Sequence, residues 1–346
     1  MYFHLKFCYM TFHDDPIENN SRRNFLIRGT LASLGLMMTG SKVWSAPAFF
    51  AGKPNSKFFG VQVGVITYSY RSMPATVQQL LTYITESGVS AIELMGDAVE
   101  AYAGKPVNPA PIDRRNGEPS EEQKKQQAYY EKQVADWRAN VSMEKFAAIR
   151  KMYNKAGVSI YAFKPDALGA RNTDAEIVYA LKAAKALGAH CVTTELPKDP
   201  AQSARLGRLG AEHQVYIGYH AHTQATDTAW DTALSQSPYN SMNLDCGHYI
   251  AAGGNNTPQS LLALIQAKHD RITSMHIKDR KTKANGGDNL PWGSGDTPIK
   301  EILTLLKEKK YPIPATIELE YDIPAGSDAV KETRKCMEYA RKALGA

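Results

Sequence analysis

The chain has 346 residues, of which 43% are hydrophobic and 22% charged, the balance of an ordinary soluble globular protein, which excludes a disordered chain, a collagen-like repeat and a coiled-coil rod. Lys and Arg outnumber Asp and Glu by 41 to 35, and residues 1–48 hold five of those bases against three acids. The remaining bases are scattered among acids, without the stripe a phosphate backbone needs, so nucleic acid is not an expected partner.

Residues 1–48 read as an address. Ser21-Arg22-Arg23-Asn24-Phe25-Leu26 precedes a modestly apolar stretch to Gly40, and Ala46-Pro47-Ala48 supplies small residues at cleavage spacing, the pattern of a twin-arginine export signal. Arg28 interrupts the apolar run, which is too short for a stable membrane span of about 20 apolar residues. An exported, periplasmic protein is expected, with residues 49–346 as one folded domain. Met10 is an alternative start.

From residue 61 onward, short β-rich runs alternate with helical periodicity, the signature of a parallel sheet. In chain order the expected strands are Val61–Ser69, Ala91–Met95, Val158–Phe163, His190–Glu195, Val215–His220, Ser241–Asp245, Ile272–Ile277 and Ala315–Leu319. Eight such strands predict a single (β/α)8 TIM barrel, a fold of about 250 residues. Helices are predicted over 76–87, 143–156 and 175–187, each followed by a glycine stop at Gly88, Gly157 or Gly188. An insertion after strand two, residues 96–140, holds Pro106, Pro109, Pro111 and Pro119 and then a polar run, expected as a loop followed by a solvated helix. Cys8, Cys191, Cys246 and Cys336 form no C-x-x-C pair, so neither a disulfide framework nor a cysteine zinc site is expected.

Chemistry in such a barrel sits at the C-terminal ends of strands. Lys164 ends the third, Glu195 the fourth, His220 and His222 the fifth, Asp245 and His248 the sixth, His276, Lys278 and Asp279 the seventh, and Glu318 and Glu320 the eighth. Asp245, His276 and Glu318 would converge on the barrel axis as ligands for one divalent metal ion, with His220 or Glu195 as the fourth. Oxygen and nitrogen donors admit Mn, Mg, Co, Fe or Zn. Glu195, Lys164, His222 and His248 remain for acid–base work or substrate contact, while Lys278 and Asp279 read as a structural pair and Glu320 as a step beyond the reacting zone. Trp292, in the glycine-rich loop after strand seven, is a candidate apolar platform for a sugar ring.

These residues carry a resemblance. Gly64-Val65-Ile66-Thr67-Tyr68-Ser69, Ile92-Glu93-Leu94, Gly218-Tyr219-His220-Ala221-His222, Asn243-Leu244-Asp245-Cys246-Gly247-His248, Ser274-Met275-His276-Ile277-Lys278-Asp279 and Thr316-Ile317-Glu318 resemble, in order and spacing, the xylose-isomerase-like TIM-barrel superfamily of sugar phosphate isomerases and epimerases. The resemblance runs from about Val61 to Leu344. It implies a metal held by Asp245, His276 and Glu318, and a substrate contact at His248. His220 stands where ketose 3-epimerases place a metal-binding glutamate, which argues against their paired-glutamate mechanism. Strand three of the relatives often ends in histidine where this chain has Lys164.

A metal-chelated carbonyl and hydroxyl make the neighbouring C–H acidic, and one base then gives isomerisation, epimerisation or β-elimination. The expected function is therefore a metal-dependent isomerase or epimerase working through an enediolate on a free or oxidised keto-sugar or glycoside. A keto-sugar dehydratase or lyase on the same site and a non-catalytic exported sugar-binding barrel are the alternatives. Phosphodiester cleavage, also known in the superfamily, is disfavoured because no basic DNA-facing surface is evident.

Overall fold

The computed structural model describes residues 52–109, 111 and 118–346; the export-signal expectation for residues 1–48 lies outside the described residues. Eight parallel strands form the barrel: β1 Val61–Ile66, β2 Ala91–Met95, β3 Ser159–Lys164, β4 Cys191–Glu195, β5 Tyr216–His220, β6 Asn240–Asp245, β7 Ile272–Ile277 and β8 Ala315–Ile317. Each pairs with the next, and β8 pairs back to β1, so the sheet is closed. A two-residue strand, Lys57–Phe58, adds antiparallel to the start of β1.

Strands one and eight end earlier than expected, for one shared reason. Beyond Ile317 the Leu319 N–H donates to Ser69 Oγ at 3.1 Å instead of continuing the ladder, and Thr67–Tyr70 turn into a single 3-10 helix. Thr67 Oγ1 accepts the Met95 N–H at 2.9 Å, so hydroxyls replace the lost strand partners.

The helices α1 Val77–Glu86, α4 Glu144–Lys155 and α5 Asp174–Leu187 occupy the expected segments. Their boundaries follow from local chemistry. Thr76 and Gln79 form a capping box on α1, Thr173 and Glu176 another on α5, each cap contributing about 1 kcal/mol. Gly188 ends α5 at φ 85°, a left-handed conformation that side-chain-bearing residues adopt at a cost. Leu80, Ile84, Ile149, Tyr153, Ile177 and Leu181 are buried, forming part of the core between barrel and helices.

The insertion after β2 is more helical than expected. Gly96–Tyr102 form α2 directly after the strand, and Glu121–Asn140 form α3. Of α3, Val134 and Arg138 are buried; Trp137 meets Tyr179 of α5 edge-on at 5.4 Å. Arg138 pairs with Glu176 at 2.7 Å and donates to the Asp166 carbonyl. This largely solvated helix is thereby fastened to the loop after β3. The later helices are α6 Pro200–His213, α7 Asp231–Gln236, α8 Cys246–Ala252, α9 Pro258–Lys268, α10 Ile299–Lys309 and α11 Ala329–Leu344. Among the described residues no helix is long and apolar enough to cross a membrane. Cys191, Cys246 and Cys336 are free and buried.

The barrel interior is polar for much of its height. Tyr161 Oη lies 2.7 Å from Thr316 Oγ1, in space that a side chain at Gly64 would invade. Glu93 of β2 accepts from Thr193 Oγ1 at 2.6 Å and Asn243 Nδ2 at 3.0 Å, and Asn243 Nδ2 also reaches Ser274 Oγ at 3.1 Å. These pairs satisfy groups that would otherwise be costly to bury.

Candidate active site

Four side chains from consecutive strands converge at the C-terminal end of the barrel. His220 ends β5 and Asp245 ends β6; His276 lies opposite Asp245 in the β6–β7 ladder, and Glu318 follows β8. One ligand-type atom each from His220, Asp245 and His276 lie within 4.8 Å of one another. Glu318 Oε2 is 2.9 Å from His276 Nδ1, which is 3.7 Å from Asp245 Oδ2. His220 Nδ1, Asp245 Oδ2, His276 Nδ1 and Glu318 Oε2 are all buried without a hydrogen-bond partner of good geometry. Such atoms turned toward one another are expensive in a protein interior unless positive charge satisfies them; the Lys278 ammonium meets the two carboxylate oxygens, and a divalent ion would meet all four atoms. The set of two imidazoles and two carboxylates fits one divalent ion.

Other groups fix the orientation of these ligands. Asp245 caps α8 by accepting the His248 N–H on Oδ1 at 2.6 Å, leaving Oδ2 turned to the cluster. His276 Nε2 is 2.9 Å from Glu93 Oε2, so the buried carboxylate fixes a proton on Nε2 and leaves Nδ1 as the nitrogen that would bind a metal on giving up its own proton, the arrangement typical of a metal-binding histidine. Glu93 has no exposure. Its sequence signal was a single charge within the apolar run Ile92-Glu93-Leu94, and its role as orienter was not expected.

Charge states follow from the same contacts. Burial and the charge on His276 push the His220 pKa down to about 3, leaving a neutral imidazole. Burial alone would lower His276, but the Glu318 and Glu93 carboxylates raise it well above the ordinary histidine value. Burial opposes ionisation of Asp245 and Glu318, yet Lys278, with His248 beside Asp245 and His276 beside Glu318, holds both carboxyls below their usual range.

Lys278 corrects the expected Lys278–Asp279 pair. Its Nζ lies 2.9 Å from Asp245 Oδ2, 2.7 Å from Glu318 Oε2 and 2.8 Å from Glu320 Oε2, and the side chain is 2% exposed. Glu320, expected beyond the reacting zone, is therefore part of the cluster. Gly247 makes this possible, because a Cβ there would collide with the Lys278 side chain. Asp279 turns elsewhere. Its Oδ2 accepts the N–H groups of Gly293, Ser294 and Gly295 at 2.8, 3.0 and 2.9 Å, and Oδ1 accepts that of Thr297 at 3.2 Å. Trp292, a candidate sugar platform, packs edge-on against Tyr339 at 5.9 Å.

The outer rim holds a second set. Glu195 Oε1 is 3.0 Å from Lys164 Nζ, and Oε2 is 3.1 Å from His222 Nε2. Glu195, open as fourth ligand in the sequence, thus has both oxygens engaged at the rim, while His220 faces the cluster. Burial would raise the Glu195 pKa, but the His222 hydrogen bond and the nearby cations hold it well down. Burial would lower Lys164, but Glu195 and Glu93 raise it. The His222 ring lies 4.9 Å from His220 and 4.6 Å from His248, so rim and cluster adjoin. His248 Nδ1 faces Arg280 Nη1 at 2.6 Å. Arg280 has no lone pair to offer, which leaves the imidazole proton on Nε2.

Comparison with known proteins gives the family and the same fold. A family model described as xylose isomerase-like TIM barrel matches residues 124–342. Among solved structures, the IOLI protein with a bound zinc atom is similar at 15% identity and TM-score 0.57, covering 82% of this chain and 98% of that one. A probable 3-DHS dehydratase from Bacillus anthracis is similar at 14% identity and TM-score 0.55, covering 80% and 98%. A sugar phosphate isomerase/epimerase from Parabacteroides distasonis is similar at 17% identity and TM-score 0.51, covering 81% and 93%. No curated protein matches the chain.

Proposed function

The chain belongs to the xylose isomerase-like TIM barrel family, and on that premise we propose that it is a metal-dependent isomerase or epimerase acting through an enediolate on a free or oxidised keto-sugar or glycoside. The observation that carries this reading is the convergence of four buried ligand-type atoms, from His220, Asp245, His276 and Glu318, at one end of the barrel. A divalent ion held there would lend Lewis acidity to a sugar carbonyl and its neighbouring hydroxyl. The ion is Mn, Mg, Co, Fe or Zn; this donor set admits each of them.

The protein's own groups supply the proton chemistry. Glu195, held ionised, takes a proton from the carbon beside the carbonyl. His222, on the other oxygen of that carboxylate, relays the proton or returns it to a second face or carbon. Lys164 remains an ammonium and donates to a substrate oxygen. His248 offers its Nε2 proton to a sugar hydroxyl from the inner wall.

A dehydratase or lyase reaction is the second reading, favoured by one contact. Lys164 Nζ lies 3.0 Å from Glu195, so an acid that could protonate a β-leaving group stands beside the base. The expected substrate is a small carbohydrate met outside the cytoplasm, following the export signal read in residues 1–48.

Elemental analysis of the purified protein, followed by proton–deuterium exchange into a panel of keto-sugars and 3-keto-glycosides, tests the proposal. One equivalent of divalent metal with exchange at a carbon next to a carbonyl supports it, and the product separates isomerase, epimerase and lyase. Sugar binding with neither metal nor exchange would leave a non-catalytic binding barrel.

A further inference from the structure

We propose that Lys278 is a built-in competitor of the divalent ion: its ammonium holds the carboxylate oxygens of Asp245 and Glu318 in the metal-free protein, and metal loading displaces it toward Glu320. The inference rests on the metal-site reading above and adds what this chain's own residues do when the ion arrives.

The geometry supplies the argument. Lys278 Nζ lies 2.9 Å from Asp245 Oδ2 and 2.7 Å from Glu318 Oε2, and those oxygens are two of the four atoms without a hydrogen-bond partner of good geometry. A divalent transition metal sits about 2.0 to 2.2 Å from a carboxylate oxygen. An ion and an ammonium sharing both oxygens would therefore be close neighbours of like charge in a buried site, where such repulsion is weakly screened. One of them must leave.

A destination is present. Glu320 Oε2 already lies 2.8 Å from the ammonium and its side chain is 20% exposed, against 7% for Glu318, so it marks the outer side of the cluster. His248 Nε2 lies 3.2 Å from Nζ, but Arg280 on Nδ1 leaves the proton on Nε2, and that nitrogen offers the ammonium no lone pair. Only carboxylates retain Lys278, and Glu320 is the one among them outside the proposed ligand set. The displaced side chain, with its flexible four-carbon stem, then presents its charge on the side from which a sugar would approach.

This arrangement has a measurable signature. The metal-stripped full chain is titrated with zinc by calorimetry at one fixed pH, alongside Lys278→Met and Lys278→Arg. Removing the competitor should tighten zinc binding about tenfold or more, whereas the charge-retaining Arg variant should stay within a few fold of the parent. Equal or weaker binding by Lys278→Met overturns the competition while leaving the metal site standing. Zinc binding by neither the parent nor Lys278→Met overturns the metal-site reading and this proposal together. Zinc binding by Lys278→Met alone supports the competition in its strongest form.

Because the Met variant leaves three carboxylates without their counter-charge and could fail to fold, the parent chain supplies an independent measurement. With 15N-labelled lysine, the buried Lys278 ammonium should give a slowly exchanging signal, identified by its loss in Lys278→Arg. One equivalent of zinc should shift or broaden it. A signal unmoved at saturating zinc overturns the displacement.

Discussion

Asp245 stands opposite His276 because the ladder between β6 and β7 slips by one residue. Met242 pairs with Ile272 and Asn243 with Ser274, leaving Thr273 over, and from there the register runs true to Asp245 and His276. The extra residue brings the carboxylate and the imidazole to one level, with Asp245 Oδ2 3.7 Å from His276 Nδ1. Bulges that re-aim side chains are common beside active sites.

Asp245→Asn keeps the shape of this residue and removes its charge. Metal affinity is expected to fall by about 100-fold or more, because the variant loses an anionic ligand of the proposed set. Calorimetric titration of the stripped protein measures it, and unchanged affinity would remove Asp245 from the ligand set.

His220 and Glu195 separate binding from chemistry. His220→Ala should lose metal affinity, since its unpartnered Nδ1 belongs to the cluster. Glu195→Gln should keep the metal and lose deuterium exchange by about 100-fold or more, the scale of a general base. Metal loss in Glu195→Gln would instead make that residue the fourth ligand.

Glu93 acts through His276. Glu93→Gln should weaken metal binding by about 10- to 100-fold, as removing the partner of a metal-binding histidine does. The metal-free variant should keep its secondary structure by circular dichroism, because the amide still fills the space between Thr193, Asn243 and His276.

Most of the barrel was legible in the chain because alternating runs and glycine stops are local signals. The strand ends carrying Lys164, Glu195, His220, Asp245 and His276 fall where the sequence places them. What escaped depends on contacts between distant segments. Nothing around Lys278 shows that its side chain passes Gly247 to reach Asp245, and Glu93 becomes an orienter only when β2 and β7 face each other across the barrel. The Ser69–Leu319 hydrogen bond, which shortens two strands at once, joins residues 250 positions apart.

Acid should weaken the hold on the loop after β8. Buried Glu332 accepts from Tyr321 Oη at 2.8 Å, pairs with Lys335 at 2.7 Å and is reached by Ser327 Oγ. Burial would raise its pKa, but these partners hold it below the ordinary glutamate value. The stabilisation is therefore complete above that ordinary value and is lost as pH falls toward the lowered one. Thermal melting at a series of pH values should show a smaller decline below about pH 4.5 for Glu332→Gln than for the parent, and parallel declines would assign no such role to Glu332.

The carboxylate of Asp279, gathering four backbone N–H groups from residues 293–297, makes the loop after β7 a fixed shelf continuous with the strand that carries His276. A substrate meeting that side finds a wall that does not adapt. Across the mouth, Lys164, Glu195 and His222 are held largely by one another, and two of the three are about half exposed. On the proposed function, discrimination between similar sugars then falls to the compliant edge, and a change of specificity in this scaffold should begin there, with the shelf left untouched.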